Sequence, residues 1–167
     1  MQKSMGTVLA LTAGLALAAP GAAQEGIAVG ETPDAPVLET LDGDSLDLAD
    51  VVGKKPVLVE FWATWCAVCR ALEPRVQEAH DAYGDAAEFL IVAVGVAQDQ
   101  DDVRRHLTRS PMPGRILWDG RGAATRAFDA PGTGFIVILD AAGKVAYTGT
   151  GTDQDLVGAL ERVVGGG

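Results

Sequence analysis

Only two cysteines and two histidines, His80 and His106, occur in the 167 residues. That is too few for a disulfide-stapled scaffold or an array of structural zinc sites. Basic residues are also scarce, 13 Lys and Arg against 23 Asp and Glu, for a formal charge of -10. The sign is wrong for covering phosphate backbones, so nucleic acid is not an expected partner. No run of Lys and Arg offers attraction to an anionic lipid surface either. The apolar run near the amino terminus, Val8–Ala19, stops at Pro20-Gly21, well short of the ~20 residues a membrane-spanning helix needs.

What is present begins with that run. Lys3 precedes it, and Gly21 and Ala23 place small residues at the -3 and -1 positions of a cleavage site before Gln24. Residues 1–23 therefore read as a secretory signal peptide. No cysteine directly follows the apolar run, so a lipid anchor is not expected; the mature chain is expected to be soluble and extracytoplasmic, periplasmic in a two-membrane cell, where the surroundings are oxidising. With 48% hydrophobic residues, the remainder suits one packed domain: a Gly/Pro/acid-rich lead-in over 24–35 and a fold over 36–165.

Within that fold, Val37–Leu41 and Ser45–Leu48 flank Asp42-Gly43, a hairpin signal. Pro56–Trp62 is apolar except for Glu60, the pattern of a strand buried on both faces. Val68, Leu72, Val76, Ala79 and Tyr83 then recur at helical spacing up to Gly84. A second buried strand spans Phe89–Val96, and Asp99 caps a shorter helix with Val103 and Leu107 inward. A third strand, Arg115–Trp118, and a short helix from Gly122 to Phe128 follow. A closing hairpin pairs Phe135–Leu139 with Lys144–Tyr147, and a last helix, capped by Thr152, carries Leu156, Leu160 and Val163. Strands alternating with helices predict an α/β sandwich.

The chemistry lies in Trp65-Cys66-Ala67-Val68-Cys69, where a buried strand gives way to an amphipathic helix. Unpaired amides and the positive end of the helix dipole would stabilise a Cys66 thiolate, lowering its pKa from the free value of about 8.5. Cys66 is thus the expected attacking sulfur. Cys69, one turn deeper, would attack the mixed disulfide and release the partner. Other uses of the pair fit less well. Tetrahedral zinc needs two more ligands, which the spacing of His80 and His106 does not supply. Haem attachment needs histidine where Arg70 stands. A disulfide closing so short a loop constrains little chain entropy.

The segment Phe61-Trp62-Ala63-Thr64-Trp65-Cys66-Ala67-Val68-Cys69-Arg70, with Pro74 five residues after the second cysteine, resembles the active-site strand and helix of thioredoxin-like proteins, most closely the TlpA/ResA branch. The resemblance implies a thioredoxin-like sandwich: a mixed central sheet with helices on both faces and an amino-terminal β-hairpin extension. It also implies a thiol-disulfide oxidoreductase acting on protein thiols or disulfides in the exported compartment, with no cofactor beyond its own redox-active disulfide. Glu60 falls where thioredoxin carries a buried acid behind the cysteines, so burial would raise its pKa and suit it to take a proton from Cys69; a partly solvated strand-end acid without a role is the other reading. Trp65 would either cover the thiolate or simply pack.

One departure stands out against the family pattern. The proline expected in cis opposite the cysteines is missing: the run falls on Gly132-Thr133-Gly134, with glycine in its place. A cis bond before a non-proline residue costs about 2.5–4 kcal/mol, so Thr133–Gly134 is expected to be trans. A rival register uses Pro131 and needs extra residues before the strand. Substrate docking would involve Trp65, Thr133 and Gly134. Ala67-Val68 supplies neither a histidine nor a proline between the cysteines, which favours a reductant, for example of apocytochrome c or another periplasmic protein, fed by a membrane electron donor. The alternative from a different class is a copper-binding accessory protein that uses both cysteines as Cu(I) ligands.

Overall fold

Six consecutive side chains, Val57–Trp62, are buried, Glu60 included. A strand covered on both faces requires layers on either side of it, and the rest of the chain supplies them. The computed structural model describes residues 25–166; residues 1–23, expected to be a signal peptide, lie outside them. The sheet has seven strands: β1 (Val37–Thr40), β2 (Ser45–Asp47), β3 (Val57–Trp62), β4 (Glu88–Val94), β5 (Arg115–Asp119), β6 (Phe135–Leu139) and β7 (Val145–Gly149). Their order is β2-β1-β5-β4-β3-β6-β7. β3, β4 and β5 run parallel, whereas β6 is antiparallel to β3 and β7 to β6.

The helices are α1 (Ala67–Tyr83), α2 (Gln100–Arg109), α3 (Ala123–Ala127) and α4 (Leu156–Val164). Two right-handed crossovers in the same direction, β3-α1-β4 and β4-α2-β5, place α1 and α2 on one face of the sheet. Accordingly His80 of α1 meets Phe89 edge-on and His106 of α2 meets Trp62, each with ring centroids 5.0 Å apart. α4 packs beside α1. On the opposite face Phe61 meets Phe128, just past α3, at 5.7 Å and Phe135 at 5.9 Å. This is the thioredoxin-like arrangement, and the β1-β2 hairpin extends the sheet at one edge through antiparallel pairing of β1 with β5. Among the described residues no helix is long and apolar enough to cross a membrane.

Several local expectations change in the structure. The lead-in, expected to precede the fold, packs into it: Ile27 is buried and its N–H donates to the Phe128 carbonyl at 3.0 Å. Gly30 N–H and Glu31 O bond to Val145, protecting part of the β7 edge. The inward stripe of α1 is Cys69, Leu72, Val76 and Ala79; Val68, expected to face inward, is exposed. β4 stops at Val94 because the chain then turns, with Gly95 N–H donating to Asp119 O at 3.2 Å.

The cap of α4 is Asp155, not Thr152. Its Oδ1 accepts the Gly158 N–H at 2.9 Å, while residues 152–154 remain irregular ahead of the helix. An acceptor must sit two or three residues before the amide it satisfies, and Thr152 is too far upstream. Asp155→Ala is accordingly expected to lower unfolding free energy by about 1 kcal/mol, and Thr152→Ala to change it by less than about 0.5 kcal/mol. Chemical denaturation of the two variants checks this, and a larger loss at 152 would contradict the assignment.

Candidate active site

β3 ends at Trp62, and the turn Ala63–Cys66, closed by Cys66 N–H to Ala63 O at 3.0 Å, delivers the chain to the start of α1. Cys66 is the N-cap, with φ -74° and ψ 108°. Its sulfur accepts the Cys69 N–H at 3.0 Å, so a first-turn amide that has no partner within the helix is aimed at sulfur. Cys66 and Cys69 are joined in a disulfide with Cα atoms 5.3 Å apart. Cys66 retains 4% of its surface exposed and Cys69 none, which ranks the outer and inner sulfurs as their helix positions predict.

Glu60 lies two residues before Trp62 on the same face of β3, the face that α1 and α2 cover. In register it sits between Ile91 of β4 and Ile136 of β6, and neither carboxyl oxygen has a hydrogen-bond partner in the protein. It is fully buried, unlike a solvated strand-end acid. Burial pushes its pKa from 4.5 up to about 8, and the Glu73 carboxyl adds to the rise. Glu73 was not anticipated from the sequence. Its position four residues beyond Cys69 was the available signal, because i and i+4 lie one above the other on a helix.

The third part is the loop before β6. Gly134 has φ +78°, and a Cβ placed on it would meet Val68 Cγ1 at 2.7 Å. The loop therefore presses on the cysteine motif at Gly134, with Thr133 half-buried and Pro131 exposed. Gly134 N–H donates to Phe61 O at 2.7 Å, and Cys69 Sγ lies 3.9 Å from the same oxygen. Proline at 134 has no N–H for that bond. Among the described residues no peptide bond is cis. Behind the loop, buried Gln154 donates to Gly151 O at 2.8 Å and to Gly134 O at 3.4 Å, and accepts Tyr147 O–H at 3.1 Å. Trp65 is 47% exposed and its indole N–H donates to Val96 O at 2.8 Å. The residue next to Cys66 thus presents a largely exposed ring, tied by its N–H to the loop that leaves β4. Among the described residues no three His, Cys, Asp or Glu side chains group as metal ligands.

Comparison with known proteins agrees with this geometry. The Redoxin family matches residues 28–163. Thiol-disulfide oxidoreductase ResA of Geobacillus thermodenitrificans is 30% identical over 139 residues, covering 82% of this chain and 79% of that protein. Sporulation thiol-disulfide oxidoreductase A of Bacillus subtilis is 24% identical, covering 90% and 92%. Among solved structures, the thioredoxin domain of a Bacteroides vulgatus thiol-disulfide oxidoreductase superposes with TM-score 0.72 at 23% identity, covering 83% of this chain and 99% of that one. A putative thiol:disulfide interchange protein DsbE from Chlorobium tepidum gives 0.71 at 23% identity, covering 84% and 97%.

Two outcomes follow from the site's physics. The folded chain holds the Glu60 proton up to about pH 8, whereas the unfolded chain releases it near pH 4.5, so this carboxyl stabilises the fold least at high pH. Its contribution falls as pH rises from about 4.5 to about 8, by roughly 5 kcal/mol in all. Glu60→Gln should remove that slope and raise stability at pH 8 by a few kcal/mol, as urea titrations across pH would show; an unchanged slope would contradict the burial. At Gly134, alanine meets both the positive φ and Val68, for an expected loss of about 1–2 kcal/mol. Val68→Ala should recover part of it. Gly134→Pro also removes the bond to Phe61 O and should cost about 3 kcal/mol or more; a more stable proline variant would refute this account of the loop.

Proposed function

This chain belongs to the Redoxin family and is a thiol-disulfide oxidoreductase with a Cys66–Cys69 pair, and from that premise we propose that it is exported and acts as a reductant of disulfides in secreted proteins. The observation that carries the chemistry is the Cys69 amide directed at the Cys66 sulfur. After reduction the same amide and the helix dipole stabilise a thiolate there. The Cys66 thiolate attacks a substrate disulfide, one substrate sulfur leaves as a thiolate, and a mixed disulfide forms. In the fraction of molecules whose Glu60 is ionised, a fraction that grows as pH approaches 8, Cys69 then gives its proton to that carboxylate and attacks Cys66 Sγ. The second substrate sulfur departs, and two electrons have passed from the enzyme to the substrate.

Glu60 serves this step as a base that takes up a proton readily, and in its protonated form it returns one when Cys69 leaves as a thiolate during reduction of the enzyme. Trp65, Thr133 and Gly134 form the docking margin around the disulfide. The absence of histidine and proline at Ala67-Val68 supports the reducing direction. An oxidising compartment then requires a membrane-held dithiol donor to restore the cysteines. The apolar segment Val8–Ala19 with its small-residue cleavage site supports export, and apocytochrome c is one target class of suitable chemistry. No cofactor enters the cycle.

Cys69→Ser is expected to accumulate a covalent adduct with the natural target, identifiable by mass. Glu60→Gln should slow release of the mixed disulfide on the order of 100-fold while leaving the first attack nearly unchanged; stopped-flow resolution of the two steps checks it, and equal rates in variant and parent would exclude the role. Equilibration with glutathione should place the couple well below the oxidising extreme of about -120 mV. A value at that extreme, with efficient oxidation of unfolded proteins, would reverse the direction. Tight Cu(I) binding by protein that fails to reduce insulin would replace the reading with copper handling.

A further inference from the structure

The turn Ala63–Cys66 carries the outer sulfur, yet much of what holds it comes from the loop Gly95–Gln98 leaving β4. Beyond the pair Trp62 and Ala93 the β3-β4 ladder ends and the two chains diverge. Gln98 occupies the gap. Its Oε1 accepts the Thr64 N–H at 2.8 Å, and its Nε2 donates to the Val94 carbonyl at 2.7 Å. A side-chain amide thus joins two strand ends as a peptide group would, satisfying one donor and one acceptor that the open ladder leaves over. Two residues earlier Val96 O takes the Trp65 indole N–H at 2.8 Å. Between them Ala97 has φ +52°, a conformation that a residue other than glycine holds only where its surroundings impose it. A longer side-chain contact on the turn is Arg70 Nη1 to Thr64 O at 3.4 Å.

We infer that Gln98 is a positioning residue for Cys66, a latch that fixes the strand-to-helix turn so that the outer sulfur stays on the Cys69 amide. The residue touches neither sulfur and takes no part in electron or proton transfer. It acts through Thr64 and the turn. A hydrogen bond at 3.0 Å weakens steeply with misalignment, and a shift of about 0.5 Å in a site's supporting shell is enough to degrade it. Releasing the Thr64 N–H would let the turn move relative to the first turn of α1. The reduced sulfur would then be less stabilised as a thiolate, and the dithiol less favoured against the disulfide. Glutamine is specific here because both halves of its amide are used; methionine matches its length and makes neither bond.

This inference rests on Cys66 being the attacking sulfur, and its test separates the two. The reduced full chain and its Gln98→Ala and Gln98→Met variants are compared in two measurements: iodoacetamide alkylation at Cys66, followed by peptide mass at pH 7, and the equilibrium constant for exchange with glutathione. Both variants should alkylate roughly five- to tenfold more slowly, the loss expected for about one net hydrogen bond, with the equilibrium shifted toward the disulfide by a similar factor. A merely structural glutamine would lower the melting temperature and leave both redox readings at parental values, which would overturn the latch. Should Gln98→Ala fail to fold, Gln98→Met carries the same two readings. A parent whose Cys66 alkylates no faster than free cysteine would remove the assignment of Cys66 and the latch with it. A fast parent with equally fast variants removes the latch alone.

Discussion

The first turn of an α-helix leaves amides without partners, and here one of them meets a sulfur. That contact, Cys69 N–H to Cys66 Sγ at 3.0 Å, depends on β3 being rigid enough to deliver Cys66 to the helix start. β3 is rigid because it is buried on both faces and hydrogen-bonded on both edges, to β4 and β6. Each helix layer contributes. α1 and α2 cover one side, while Phe128 and the packed lead-in around Ile27 cover the other through Phe61 and Phe135. The hydrophobic core therefore does more than stabilise the chain. It fixes where a buried polar contact forms at the start of α1.

The same burial makes Glu60 expensive. A carboxyl with no hydrogen-bond partner in a closed apolar layer costs free energy in its charged form, and it answers by holding its proton. A chain selected only for stability would place leucine or valine there, as β3 does at Leu58 and Val59. The retained acid is a local cost to stability on the strand that delivers the cysteine turn, the kind of cost that proteins tend to keep at functional sites.

Around this centre, three separated stretches meet. The cysteine turn comes from 63–69, the latch from 95–98, and the facing loop from 132–134. Gly134 joins the last to the first in two ways, through close approach to Val68 and through its N–H on Phe61 O. The missing proline is thus accompanied by a hydrogen bond that proline could not make. Gln154 and Tyr147 brace that loop from behind, so the far side of the site is held by β7 and the segment before α4.

The sequence by itself determined the alternation of strands and helices, the hairpin at each end of the fold, the placement of two sulfurs at a helix start and the acid three residues ahead of the Ala63–Cys66 turn. These are local or periodic properties, written in burial patterns of two and 3.6 residues and in spacings of a few positions. Tertiary structure alone decided that the lead-in packs, that Asp155 caps α4, that Val68 faces Gly134 rather than the core, that Glu73 lies close enough to Glu60 to raise its pKa, and that Gln98 bonds the turn before Cys66. Gln98 reaches Thr64 across 34 positions, and Gly134 reaches Phe61 across both crossovers and α3. Such contacts leave no periodic trace, because they are set by where strands end and chains diverge in space, which depends on the packing of every layer at once.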